Sequence, residues 1–181
     1  DVSGAAVFFD CDGDGDLDLV CVDDGSAPYQ LEVWKNNGSG VLTFSASYSL
    51  GGRGTCLTLA NVDAAGDVDV VVGTDANQFE VWLNDSTGAL ANASTPATND
   101  GTKPNGIVLS DLDGDGDNDL MFCTEGLRFE QWKNDGSGTF THNASDVLSF
   151  AGRSIAAGHF DASSGVDVFV GEAGSKAETF F

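Results

Sequence analysis

The stretch Asp10 to Asp18, DCDGDGDLD, and its near twin Asp111 to Asp119, DLDGDGDND, constrain the fold more than any other part of the chain. Counted from the first Asp, carboxylates fall at positions 1, 3, 5, 7 and 9, and a glycine (Gly15 or Gly116) stands at position 6. Five like charges at that spacing repel one another unless a cation sits among them. Ca²⁺ suits the pattern, because it takes six to eight oxygen ligands at about 2.3–2.6 Å and tolerates irregular geometry. The glycine lets the backbone turn around the ion with no Cβ in the way. The spacing predicts side-chain ligands from Asp10, Asp12, Asp14 and Asp18, with a backbone carbonyl from Asp16. In the twin they are Asp111, Asp113, Asp115 and Asp119, with the carbonyl of Asp117.

An EF-hand would carry Glu at position 12 and run on into a helix. Here position 12 is Cys21 or Phe122, inside the apolar runs LVCV and LMFC. Such runs favour strands, so the loop is predicted to join strand to strand.

The loop starts recur at Asp10, Asn61, Asp111 and Asp161, about 50 residues apart. Each follows a short apolar run (AAVFFD, CLTLAN, GIVLSD, AAGHFD) and precedes another (LDLVCV, VDVVVG, NDLMFC, VDVFVG). A third run follows as LEVW, FEVW, FEQW and AETF, and a fourth is legible in three units around 42–48, 89–94 and 139–143. Four short strands per period of roughly 50 residues is the signature of propeller blades. The predicted fold is all-β: a β-propeller-type array of four blades at about 1–50, 51–100, 101–150 and 151–181, the last incomplete. WKNNGSG at 34–40 recurs as WKNDGSG at 132–138, so the duplicated unit reads as a pair of blades.

The motif D-x-D-G-D-G-x-x-D, followed by a strand and then W-K-N-[ND]-G-S-G, resembles the FG-GAP/VCBS-type repeat family along all four units. The resemblance implies propeller blades with Ca²⁺ in the loop between the first two strands, as in integrin-like heads, secreted lectins, adhesins and accessory domains of extracellular enzymes. Two loops depart from the pattern. The second keeps Asn61, Asp63, Asp67 and Asp69 but has Ala65 at position 5, and is read as a weaker site. The fourth is shorter, and is expected to be empty, with Asp161 and Ser163 capping turn amides.

Seven Lys and Arg against 29 Asp and Glu give a net charge of −22. That surface repels nucleic acid and anionic membranes, and no apolar run is long enough to span a bilayer. The predicted partners are a protein or glycan ligand. Four N-x-S/T triplets, at Asn37, Asn84, Asn92 and Asn143, read as glycosylation acceptors. With the calcium loops they favour an extracellular or cell-surface location. The chain starts at Asp1, which reads as a processed or excised piece. Cys11, Cys21, Cys56 and Cys123 allow three full pairings, and spacing does not choose among them.

Trp34, Trp82, Trp132 and Phe180 share one position of the third strand and are predicted to pack between blades rather than to form a sugar platform. Glu32, Glu80 and Glu130 stand two residues earlier on the same face. They are expected to pair with Arg53, Lys103 and Arg153, tying each blade to the next. Lys35 and Lys133 are expected to face solvent, and His142 and His159 to be structural. No G-x-S-x-G, H-E-x-x-H or phosphate-binding loop occurs, so no catalytic constellation is visible. The expectation is a calcium-stabilised binding or scaffold module. Head-to-tail assembly through open blade edges and an accessory domain of a larger extracellular enzyme are the alternatives.

Overall fold

A computed structural model describes residues 4–23, 25–161, 165–174 and 176–180. The first sheet is β1 (Ala6–Phe9), β2 (Asp18–Val22), β3 (Gln30–Asn36) and β4 (Leu42–Ser49). The second is β5 (Gly54–Ala60), β6 (Asp69–Thr74), β7 (Gln78–Asn84) and β8 (Leu90–Ser94). The third is β9 (Pro104–Ser110), β10 (Asp119–Thr124), β11 (Arg128–Asn134) and β12 (Phe140–Val147). The fourth holds β13 (Gly152–Gly158), β14 (Asp167–Glu172) and β15 (Lys176–Phe180). Within each sheet, neighbours in sequence pair antiparallel in simple order. No helix occurs among the described residues, and hence none long and apolar enough to cross a membrane.

The sheets are laid face to face, and their cores lie between them. Alternate residues of a strand face opposite sides, so β6 serves two cores at once. Val70 and Val72 pack with Val20, Leu31 and Val33 of the first sheet. Val71 packs with Leu120, Phe122 and Trp132 of the third. A third core joins Met121, Cys123 and Phe129 to Val168 and Val170 of the fourth sheet. Every residue of β6 and β10 is buried because neighbours cover both faces, whereas β2 alternates. Burial of each Val, Leu or Phe contributes about 1.5–3 kcal/mol, a gain that one sheet alone cannot make.

The first strands run side by side, β1 against β5, β5 against β9 and β9 against β13. The sheets therefore fan from one shared inner edge, which is a propeller-like arrangement. Gly106 marks how closely these inner strands approach, since a Cβ there would come to 3.0 Å from the Ser154 Cα.

The aromatic reading of the third strand holds at Trp82, Trp132 and Phe180, whereas Trp34 packs within its own sheet, 5.4 Å from the Phe44 ring. Trp82 is 5% exposed and sits 5.4 Å from the Tyr48 ring of the preceding sheet. Trp132 meets Phe79 at 5.1 Å, and Phe180 stacks on Phe129 at 4.9 Å. A register shift recurs beside the tryptophan in three sheets, at Val33/Trp34, Val81/Trp82 and Gln131/Trp132. Such bulges bend the strand and re-aim its side chains.

All four cysteines are free thiols. Burial pushes the thiols of Cys11 and Cys56 up to about 12 and that of Cys123 to about 11. They are therefore protonated at neutral pH and poor nucleophiles.

Candidate metal centre

The acidic loops lie between the first and second strands of successive sheets, all at one end of the fold. The first folds around Asp10, whose Oδ1 accepts the Gly13 and Asp14 amides at 2.8 and 3.1 Å and whose Oδ2 accepts that of Gly15 at 2.9 Å. Asp111 repeats this with Gly114 and Gly116 at 2.7 and 3.0 Å. The position-6 glycines Gly15, Gly66 and Gly116 have φ of +92°, +90° and +98°, a region closed to ordinary side chains.

Position 9 closes each loop. Asp18 is fully buried; its Oδ2 accepts the Cys11 amide at 3.1 Å and its Oδ1 the Asn36 amide at 2.8 Å. Asp69 does the same with Val62 and Asn84, and Asp119 with Leu112 and Asn134. Asp167 keeps half of this in the shortened fourth loop, accepting the Phe160 and Asp161 amides. Burial raises the carboxyl groups of Asp69 and Asp119 above the usual range, and neighbouring loop carboxylates add to the shift. These aspartates pin the loop to the end of the third strand, whatever else they bind.

Three groups of carboxylates converge, each with ligand oxygens within 4.8 Å of one another: Asp10, Asp12 and Asp18; Asp63, Asp67 and Asp69; Asp111, Asp113 and Asp115. The predicted sets are only partly met. Asp14 lies outside the first group; its Oδ1 accepts the Asp16 amide at 2.9 Å. Asp119 lies outside the third. The carboxylates of Asp16 and Asp117 turn toward the next hairpin, where a Cβ on Gly38 or Gly136 would come to 2.6 Å from them. In the second loop the position-7 residue Asp67 contributes its carboxylate to the group, and Ser86 Oγ donates to its Oδ2 at 2.7 Å. Ser163 of the fourth loop lies outside the described residues, and with it the capping role expected there.

Do these loops fit calcium? The donors are all oxygens, and they carry like charge. Asp12 Oδ1, Asn61 Oδ1 and Asp67 Oδ1 are buried with no hydrogen-bond partner. An uncompensated buried carboxylate oxygen is costly, and a hard divalent cation is the ligand that such oxygens match. The residues fit, and the second loop fits despite its missing position-5 carboxylate.

Several sequence expectations are overturned. Lys35 and Lys133 do not simply face solvent: Lys35 Nζ is 2.9 Å from Asp12 Oδ2, and Lys133 Nζ is 2.8 Å from Asp113 Oδ2. The expected Glu32–Arg53, Glu80–Lys103 and Glu130–Arg153 ladders are not formed among the described residues. Arg53 pairs with Asp75 and Lys103 with Glu125, each at 3.5 Å. The glutamates instead accept backbone amides of the segment leading into their own sheet. Glu80 takes Gly51 at 2.7 Å, Glu130 takes Asn99 and Asp100 at 3.0 and 2.9 Å, and Glu178 takes Ser149 at 3.1 Å. Glu32 accepts Trp34 Nε1 at 2.9 Å; its counterpart segment would fall at residues 1–3, outside the described residues.

Asn84 is corrected as a glycosylation acceptor. It is 5% exposed, and its amide donates to the Cys11 carbonyl at 2.9 Å. Asn37, Asn92 and Asn143 are exposed. Asn134 matches Asn84, donating to the Val62 carbonyl at 2.8 Å. These asparagines are the inter-sheet polar ties that sequence reasoning missed. Their signal was present, since Asn36, Asn84 and Asn134 recur two residues after the tryptophan. His142 Nε2 pairs with Ser145 Oγ and His159 Nδ1 with the Gly165 carbonyl, both at 2.8 Å, as suits structural residues.

The FG-GAP-like repeat family matches this sequence twice, over residues 10–67 and 61–122. The chain belongs to the FG-GAP-like repeat family. No curated protein matches it in sequence. Among solved structures, two crystal structures of BBS1N in complex with ARL6DN are similar to this FG-GAP repeat chain. The one soaked with lead has a TM-score of 0.69 at 14% identity, covering 97% of this chain and 52% of that one. The one soaked with mercury gives 0.70 at 12% identity, covering 97% and 49%. The FG-GAP chain thus spans about half the length of the structures it matches, and at such identity the likeness is one of fold.

Proposed function

We propose that this FG-GAP repeat chain is a calcium-binding scaffold that works by binding a partner and has no chemistry of its own. The observation that carries the reading is the convergence of carboxylate oxygens at the same bend of three successive sheets, with unpartnered buried oxygens in two of them. Bound ions would each offset two of the loop's negative charges and fix it against the pinned end of the third strand. The partner is read as a protein, because the similar structure of BBS1N was solved with ARL6DN bound; a glycan is the other candidate. An extracellular or cell-surface setting supplies the calcium. The free thiols do not oppose that setting, since burial keeps those of Cys11, Cys56 and Cys123 protonated and out of reach. The test is calorimetric titration of the metal-stripped chain with Ca²⁺. Two to three sites per chain are expected, and a flat titration would reject the reading.

A second reading is favoured by the first sheet. Phe8, Leu19, Trp34 and Phe44 lie in one cross-strand row. The matching row of the second sheet, through Val70 and Trp82, is buried against the sheet before it. On the first sheet Phe8 is 59% and Phe44 49% exposed. A further blade docked there, from a second copy head to tail, would extend the array toward a closed ring. Light scattering of the chain tests this: a mass above that of one chain is expected, falling to a monomer for Phe8→Ser with Phe44→Ser. A monomeric parent would remove self-assembly.

A further inference from the structure

We propose that Lys35 and Lys133 are built-in counter-cations of the first and third loops: each grips one oxygen of the position-3 carboxylate and lowers the loop's affinity for calcium. This rests on the calcium reading above. The grip is visible at Asp12, whose Oδ2 is 2.9 Å from Lys35 Nζ while its Oδ1 is buried and unpartnered. In the third loop Lys133 Nζ lies 2.8 Å from Asp113 Oδ2, while Asp113 Oδ1 accepts the Asp115 amide at 3.3 Å.

Neither lysine is in place by accident of a long side chain. Each follows the tryptophan directly, so it leaves the strand on the opposite face, toward the next sheet. Lys35 Nζ also donates to the Thr87 carbonyl of that next sheet at 2.6 Å. Its stem runs over Gly88, where a Cβ would come to 2.9 Å from Lys35 Cε. The ammonium is therefore held between two acceptors and resists swinging away when a divalent ion arrives.

The second loop supplies an internal contrast. The residue after its tryptophan is Leu83, and a Cβ on Gly138 of the following sheet would meet Leu83 Cδ2 at 3.2 Å. An apolar side chain thus fills the place that Lys35 takes beside Gly88. No lysine or arginine pairs with Asp63, Asp67 or Asp69 among the described residues. Loops with five aspartates carry an ammonium, and the loop with three does not. The ammonium makes five crowded carboxylates tolerable without the ion, and the same positive charge then opposes a second cation a few ångströms away.

The experiment compares the full chain with Lys35→Met, Lys133→Met and the double variant, by calcium titration and by melting in chelator and in saturating calcium. The double variant is expected to bind calcium on the order of tenfold more tightly at low salt. It should melt lower than the parent in chelator, and that deficit should shrink or reverse in calcium. Lysines that merely brace the fold would lower both melts and leave affinity unchanged. Lys133→Arg should keep the parent's affinity, and Leu83→Lys should weaken one site. Lys35→Met also loses the Thr87 bond and can unfold the junction, so the more exposed Lys133 carries the test if it does. Calcium binding in the parent with equal or weaker affinity in Lys133→Met overturns the proposal alone. No calcium binding in the parent overturns it together with the reading beneath it.

Discussion

Stripping calcium with a chelator is expected to lower the melting temperature by roughly 10–20 °C, fully reversed when calcium is restored. The magnitude follows from mass action. An ion at about 100 times its dissociation constant stabilises the folded state by about 2.7 kcal/mol per site, and two sites double that. For a chain of this size each kcal/mol moves the midpoint by about 2–4 °C. The folded loops can bind because their position-9 aspartates already hold them in shape: Asp18 and Asp69 each join two backbone amides that an unfolded chain scatters. Magnesium is expected to substitute poorly, since it demands near-octahedral geometry and gives up its water reluctantly. Differential scanning in chelator, calcium and magnesium checks this. Identical melts in chelator and calcium would exclude a structural ion.

The propeller-like fold was legible because two periods coincide in the sequence. Two-residue alternation and a repeat of about 50 residues place the strands, and runs such as VDVVVG announce strands covered on both faces. The tryptophan position was legible for the same reason: a residue that recurs from unit to unit serves the contact that each unit makes with the one before it, as at Trp82, Trp132 and Phe180. The site was legible in part. Carboxylate spacing shows which residues can reach an ion, but not which are diverted. Asp14 and Asp16 are drawn off by a local amide and by the approaching hairpin at Gly38. The contacts of Lys35 and Lys133 are not legible in the sequence, because no strand pattern tells how near the next sheet comes. The Glu–Arg ladders do not form because unsatisfied amides outrank charge complementarity at these turns. In turns that connect sheets, buried N–H groups need acceptors, and a carboxylate with two oxygens meets two of them. Asn84 fits an acceptor triplet by letters alone, yet its side chain is spent on the Cys11 carbonyl.

That ranking of amides over charges can be measured at Glu130. The residue is fully buried, and it accepts three N–H groups: Asn99, Asp100 and Trp132 Nε1 at 3.0, 2.9 and 3.0 Å. Glu130→Ala leaves all three without their acceptor in a buried site. An unsatisfied buried donor costs about 1–3 kcal/mol, so the loss is expected to reach about 3–5 kcal/mol, or roughly 10 °C or more in the melt. Glu130→Gln, with its amide oxygen in the place of Oε2, keeps the Asn99 and Trp132 bonds and should lose less, about 1–2 kcal/mol. Arg153 is exposed and forms no ion pair with Glu130, so Arg153→Met is expected to change stability by less than about 0.5 kcal/mol. An ion-pair ladder would instead make Arg153→Met and Glu130→Gln about equally damaging. Denaturant unfolding of the three variants separates the two accounts, because only the amide-clamp account gives a large loss on one side of the supposed pair and almost none on the other. The same reasoning extends to Glu80 and Glu178, whose amide partners lie at the equivalent lead-in segments of the second and fourth sheets. A side chain that fastens each sheet's lead-in to its own third strand also fixes how that sheet meets the one before it, and so helps align the ion loops along one end of the array.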